Sequence, residues 1–231
     1  MVMKMKMKRF TFLLLLFTLT SLQIKIYSQP SASVNFTTAF PMNEFSEFND
    51  NVGYGGNFEL FFFSPNNKVP YGFGFELSYI SYGLHFLVDP YSDELMLSAN
   101  KANNVTSALF VFQIAPHAGS IRPYLETIFG GSYMFSLTEF ELYDYSTMSL
   151  WVDDWTWNYG AGIGIKFLSA GDPFFNSGSV YVDLKVRYMF GTSASYLDRE
   201  SVILYGDVVE YSLAESKTDV IAASIGFYFY F

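Results

Sequence analysis

His85 and His117 are the only imidazoles in the 231-residue chain, so acid–base or nucleophilic chemistry would have to be built on one of them or on carboxylates. His85 has Ser81, Asp89 and Ser92 close in sequence, the residue types of an activated hydroxyl nucleophile. His117 stands in the turn-forming run Pro116-His117-Ala118-Gly119 and reads as structural. Cysteine is absent, which excludes thiolate nucleophiles, thiolate metal sites and a disulfide scaffold together. Gly160-Ala161-Gly162-Ile163-Gly164-Ile165-Lys166 has the look of a phosphate cradle, but such a loop must open a helix, and this run lies inside a strand pattern. Asp153 and Asp154 with Glu139, Glu141 and Asp144 form an oxygen-rich set that could hold Ca²⁺ or Mg²⁺. The simpler reading is that they solvate a rim. No cofactor is expected, and a net charge of −9 argues against nucleic acid, whose binding needs a basic surface.

The elements that must position these residues are strands. From about residue 31 onward apolar side chains recur at every second position, the period of a strand, and no stretch after residue 30 carries a helical period. Strands are expected at 31–40, 53–63, 70–84, 104–115, 121–137, 155–168, 179–191 and 218–231. The connections 64–69, 116–120 and 169–178 are short and rich in Pro or Gly. Those at 41–52, 85–103, 138–154 and 192–217 are long. An even number of strands with alternating short and long connections predicts an all-β fold, an eight-stranded antiparallel up-and-down transmembrane β-barrel with both chain ends at the short-turn rim. The segments 138–146 and 201–213 keep Phe, Tyr, Val and Leu, so strands are expected to continue above the membrane as exposed edges.

Parity separates the two faces. Val180, Val182, Leu184, Val186, Tyr188 and Phe190 oppose Tyr181, Asp183, Lys185, Arg187 and Met189. Tyr71, Phe73, Phe75, Leu77 and Tyr79 oppose Gly72, Gly74, Glu76 and Ser78. Strands 31–40 and 104–115 alternate less cleanly, and Gly56, Thr127 and Gly131 are small or polar on apolar faces. An eight-stranded barrel is only wide enough inside for side chains, so the glycine-bearing face fits the lumen and the Phe and Trp rows face lipid.

This orientation sends Glu59, Glu76, Glu126 and Asp183 into the lumen together with Arg122, Lys166, Lys185 and Arg187. Four acids meet four bases, the balance that burial requires. The long loops carry sixteen acidic residues against Lys101, Arg199 and Lys217.

Residues 1–9 hold Lys4, Lys6, Lys8 and Arg9 without an acid, and the apolar run 10–22 is too short to span a bilayer. Residues 1–28 read as a signal peptide and 29–231 as the barrel domain. Asn35-Phe36-Thr37 and Asn104-Val105-Thr106 match a glycosylation pattern and are taken as coincidental.

Taken together these residues resemble the small eight-stranded outer-membrane barrels, the OmpA/OmpX-like family in its Bacteroidota form, over about 31–231. The most specific element is the terminal Phe227-Tyr228-Phe229-Tyr230-Phe231, in which Phe227, Phe229 and Phe231 match the aromatic signal read by the barrel assembly machinery. The resemblance implies residence in the cell outer membrane, contact with its lipids, and long loops outside the cell. It does not imply one activity, because members include structural barrels, adhesins, PorT-type secretion accessories and lipid-modifying enzymes. A lipid-modifying member would act on lipid A or phospholipid near the outer rim, yet His85-Phe86-Leu87 lacks the His-x-Ser spacing of the deacylase barrels. Eight charges also argue against a lumen that holds an acyl chain. The expectation is a non-enzymatic barrel with a charge-paired, largely closed lumen, whose acidic loops contact the envelope or a protein partner. The alternatives are a secretion accessory, a lipid-modifying enzyme or a small pore.

Overall fold

Each strand pairs with its neighbour in antiparallel register, and the last returns to the first. The computed structural model describes residues 29–49, 51–66, 69–87, 96–142, 147–198, 203–205 and 208–231. The wall is made by β1 (Ser31–Pro41), β2 (Gly53–Phe63), β3 (Tyr71–Leu87), β4 (Met96–Ile114), β5 (Ile121–Leu142), β6 (Thr147–Ala170), β7 (Val180–Gly191) and, after four short strands, β12 (Val220–Tyr230). They close in the order β1-β12-β7-β6-β5-β4-β3-β2. The short strands β8 (Ser193–Leu197), β9 (Ile203–Tyr205), β10 (Val208–Glu210) and β11 (Leu213–Lys217) pair as β8 with β11 and β9 with β10 above the rim. Residues 1–28, read as a signal peptide, lie outside the described residues.

The register fixes the barrel's geometry. Paired positions run from Ser31 through Phe61, Gly74, Val111, Ile128, Gly160, Met189 and Val220, and return to β1 at Pro41, ten residues from the start. A stagger of this size inclines the strands by roughly 40° to the axis. Strands β1, β2, β7 and β12, of 11, 11, 12 and 11 residues, then match the length that crosses a membrane at that tilt. Strands β3 to β6, of 17, 19, 22 and 24 residues, are longer than a crossing needs and project beyond it.

Leu125, Ile163, Phe129, Trp157, Val186 and Phe227 are all more than 45% exposed on the outer wall, while Glu59, Arg122, Lys166 and Asp183 are at most 1% exposed inside it. A surface with its rings outward and its ions inward is stable in hydrocarbon and not in water, so the barrel spans a membrane. Gly131 is an outward position whose missing side chain is filled by Trp155. A Cβ there would lie 1.9 Å from the indole.

Three differences from the sequence reading have physical causes. Strands expected to begin at 104 and 155 begin at 96 and 147, and those expected to end at 84 and 137 end at 87 and 142. Above the membrane both faces of a sheet meet water, so pairing continues without apolar alternation to mark it. Residues 138–142 therefore lie within the projecting sheet, paired on both sides by β4 and β6, and among the described residues its two edges are β3 and β6. Within 41–52 a five-residue helix, α1 (Glu44–Phe48), forms where no helix was expected, because so short an element has no period to read. The weak alternation of 104–115 arises because β4 turns Leu109 and Val111 into the lumen, where they pack with Phe61, Ile128 and Tyr228.

Candidate functional site

The lumen is filled in layers. At the short-turn end the Arg122 guanidinium donates to Gly119 O at 3.1 Å, Asn176 Oδ1 at 2.7 Å and Pro173 O at 3.1 Å, and lies 4.5 Å from the centre of the Tyr181 ring. It thereby ties the turns 115–120 and 171–179 across the mouth. Just above, the Lys166 ammonium donates to Gln113 Oε1 at 2.7 Å and sits 3.4 Å from the centre of the Tyr228 ring. Both cations are buried, and among the described residues neither has a carboxylate within ion-pair distance. Carbonyl, amide and aromatic partners replace the ion pairs that the sequence suggested for them.

The next layer is ionic. Arg187 donates through Nε to Glu126 at 2.5 Å, through Nη2 to Glu59 at 2.6 Å, and through Nη1 to Glu76. Lys185 also bonds Glu59 and lies 3.9 Å from Asp183. Ser33 Oγ donates to Glu59 at 2.7 Å, and the Tyr124 hydroxyl donates to Asp183 at 2.7 Å. One guanidinium thus joins carboxylates from β2, β3 and β5 and bars the axis. Removing one partner from such a buried group strands the others without compensation, at a cost of about 3–5 kcal/mol.

Above the ions lies a ring of hydroxyls and amides. Ser132 Oγ reaches Ser107 at 2.7 Å and Asn158 at 2.5 Å, Thr37 meets Ser224 at 2.8 Å, and Thr156 meets Thr218 at 3.1 Å. They surround a cavity of about 40 Å³ with Glu76 and Arg187 at its floor, room for a water molecule or little more. Helix α1 closes the long-loop end. Its Phe45 is 1% exposed and meets Tyr82 and Tyr196 edge-on, each with ring centres 5.5 Å apart. Asn43, at φ 52°, turns the chain into the mouth and donates to the Tyr188 hydroxyl at 3.0 Å and to Asp219 at 2.8 Å.

The projecting sheet is the second candidate. Its edges are β3 beyond Tyr82, where β2 ends, and β6 before Asn158, where β7 ends. Near the barrel the β6 edge is covered, since Thr192 N donates to Trp157 O at 2.9 Å and Ser195 N to Asp154 Oδ2 at 2.7 Å. The Ser195 amide, together with the Trp155 amide on the other carboxylate oxygen, holds the Asp154 carboxyl below its usual range. Residues 147–153 pair with β5 on one side and with no strand on the other among the described residues.

Of the suggested cation-binding set, Asp153 and Asp154 occupy opposite faces of β6 and are not brought together. Asp144 and the side chains of Glu139 and Glu141 lie outside the described residues. Among the described residues no group of three or more His, Asp or Glu is placed to hold a metal. The backbone of His85 pairs with Lys101, but its side chain, Asp89 and Ser92 lie outside the described residues. His117 is exposed in the turn 115–120, and Gly160 to Lys166 run along β6. Phe227, Phe229 and Phe231 share the outward parity of the closing strand, with Phe227 and Phe231 more than half exposed. The sequence reading missed Phe45, for which the only signal is a pair of aromatic residues, Phe45 and Phe48, among Glu44, Glu47 and Asp50.

No family model matches the chain, and no curated protein is similar to it in sequence. Among solved structures it is similar to the N-terminal β-barrel domain of OprF from Pseudomonas aeruginosa, at 14% identity and a TM-score of 0.41 over 87% of this chain and 98% of that one. It is also similar to the attachment invasion locus protein Ail of Yersinia pestis, at 11% and 0.43 over 87% and 99%. A major outer membrane protein from Thermus thermophilus gives 12% and 0.45 over 87% and 99%. The assignment of the fold rests on the closed strand pairing itself.

Proposed function

We propose that the chain is a non-enzymatic outer-membrane barrel that uses its projecting sheet and acidic loops to contact a partner at the envelope surface. It resides in the cell outer membrane, with the short turns in the periplasm and the long loops outside. The outward-facing terminal Phe227, Phe229 and Phe231 suit recognition by the barrel assembly machinery. The observation that carries the partner reading is the strand edge at 147–153, which on one side pairs with no strand among the described residues. An edge of this kind binds an extended segment by completing the ladder. The barred lumen supports a role on the surface and not in transport, because the ion layer and Phe45 lie in series along the axis.

The test is photo-crosslinking from a residue placed at Val152 in intact cells, followed by purification under denaturing conditions. A discrete adduct, absent when the label is moved to lipid-facing Leu125, is expected. Large, steady single-channel steps from the purified barrel in a planar bilayer would overturn the closed-lumen part. A change in lipid A or phospholipid that is abolished by His85→Ala would overturn the non-enzymatic part.

A further inference from the structure

The outer wall's aromatic rows continue above the hydrocarbon, and there they change character. Trp151, Asp153, Trp155 and Trp157 share the outward face of β6, beside Tyr133 and Phe135 of β5. Phe135 and Trp151 stack with centres 5.1 Å apart and planes 10° from parallel, and Trp151 remains 52% exposed. Trp151 Nε1 donates to Asp153 Oδ1 at 2.9 Å, so ring and anion hold one another in place. Asp153 stands five residues beyond Asn158, where β7 ends. At the rise and tilt of these strands that is roughly 12 Å further along the axis. An ionised carboxylate on the outward face does not belong in hydrocarbon, so Trp151 and Asp153 stand at the level of lipid headgroups, facing sideways over the membrane.

We propose that this shelf binds the neutral sugar headgroup of a membrane glycolipid beside the barrel. A flat ring with one free face suits the C–H face of a pyranose, as amphipathic aromatics do at wet interfaces. A carboxylate accepts hydrogen bonds and donates none, so it selects hydroxyl donors. Charge chooses the headgroup: Asp153 and the other fifteen acidic loop residues, against three basic ones, repel a phosphate-bearing group. The sideways aspect, continuous with the lipid-facing belt through Trp155 and Trp157, chooses a lipid-borne sugar over a free one. This inference rests on the membrane-spanning orientation and not on the partner at the strand edge.

The test is native mass spectrometry of the full barrel in detergent with digalactosyl diacylglycerol, phosphatidylcholine or phosphatidylglycerol as the added lipid. The galactolipid is expected to be retained about five-fold over phosphatidylcholine, with the preference lost in Trp151→Ala and weakened in Asp153→Asn. Each variant is first checked for the folded band on unheated gels. Equal retention of the galactolipid and phosphatidylcholine, a preference for phosphatidylglycerol, or a galactolipid preference that survives Trp151→Ala would overturn the proposal. Competition by free digalactose at matching affinity would overturn its lipid-borne part. A crosslinked partner at Val152 would be unaffected by any of these results.

Discussion

Glu126 and Arg187 stand on β5 and β7, with β6 between them, and they meet at 2.5 Å through the space left by Gly162. Gly162 is the register partner of both. A Cβ there would lie 2.7 Å from Arg187 Cγ and 3.2 Å from Glu126 Oε1. Gly162→Ala should therefore wedge the ionic layer apart and destabilise the barrel by about 1–3 kcal/mol, the usual cost of overpacking. Urea unfolding in phospholipid vesicles reads it directly, and an unchanged midpoint would mean that the gap is not needed.

The two kinds of buried cation predict different costs. Arg187→Met leaves Glu76 and Glu126 with no base within ion-pair distance among the described residues and Glu59 with Lys185 alone, and should cost on the order of 3–5 kcal/mol. Lys166→Met removes a cation that has no carboxylate of its own, and keeps a side chain that can lie on Tyr228. Its cost should be under about 2 kcal/mol. The same unfolding experiment ranks them, and a Lys166 variant as damaged as the Arg187 variant would contradict the layered description.

Phe45 is the stopper of the long-loop mouth. The chain has no cysteine, so Ser132→Cys gives a single reporter in the hydroxyl layer beneath it. Adding Phe45→Ala should speed its reaction with a small water-soluble thiol reagent by about ten-fold or more, since the lost ring leaves a cavity the loop cannot refill. Equal rates with and without Phe45 would place the barrier elsewhere.

Acid should release the loop that covers the β6 edge. The Ser195 and Trp155 amides that bond Asp154 lower its pKa, so the ionised form is favoured when the loop is docked. That contribution is complete above the unfolded value of about 3.9 and disappears as the pH falls through the lower folded value. Hydrogen exchange at Ser195, corrected for its intrinsic pH dependence, should lose protection in that range while amides of β12 keep theirs. Asp154→Asn should reduce Ser195 protection at neutral pH, and protection unaltered by both acid and the variant would contradict the assignment.

Much of the architecture was legible because a strand in a thin membrane wall sees lipid on one side and packed lumen on the other. Val182 and Asp183, or Phe75 and Glu76, announce their faces by parity alone, and their count and spacing require a closed eight-stranded wall. That contrast fades above the membrane, so the far ends of β3 to β6 could not be read as strands, and neither could a helix as short as α1.

Partnership was not legible at all. Parity along each strand is enough to turn Glu59, Glu76, Glu126, Asp183, Arg122, Lys166, Lys185 and Arg187 inward, because an unpaired charge cannot face hydrocarbon. That Arg187 gathers three carboxylates while Arg122 and Lys166 turn to carbonyls, amides and rings emerges only when the wall closes. Those choices depend on the ten-residue stagger of the barrel and the gap at Gly162, which set heights and distances across the lumen that no local pattern encodes.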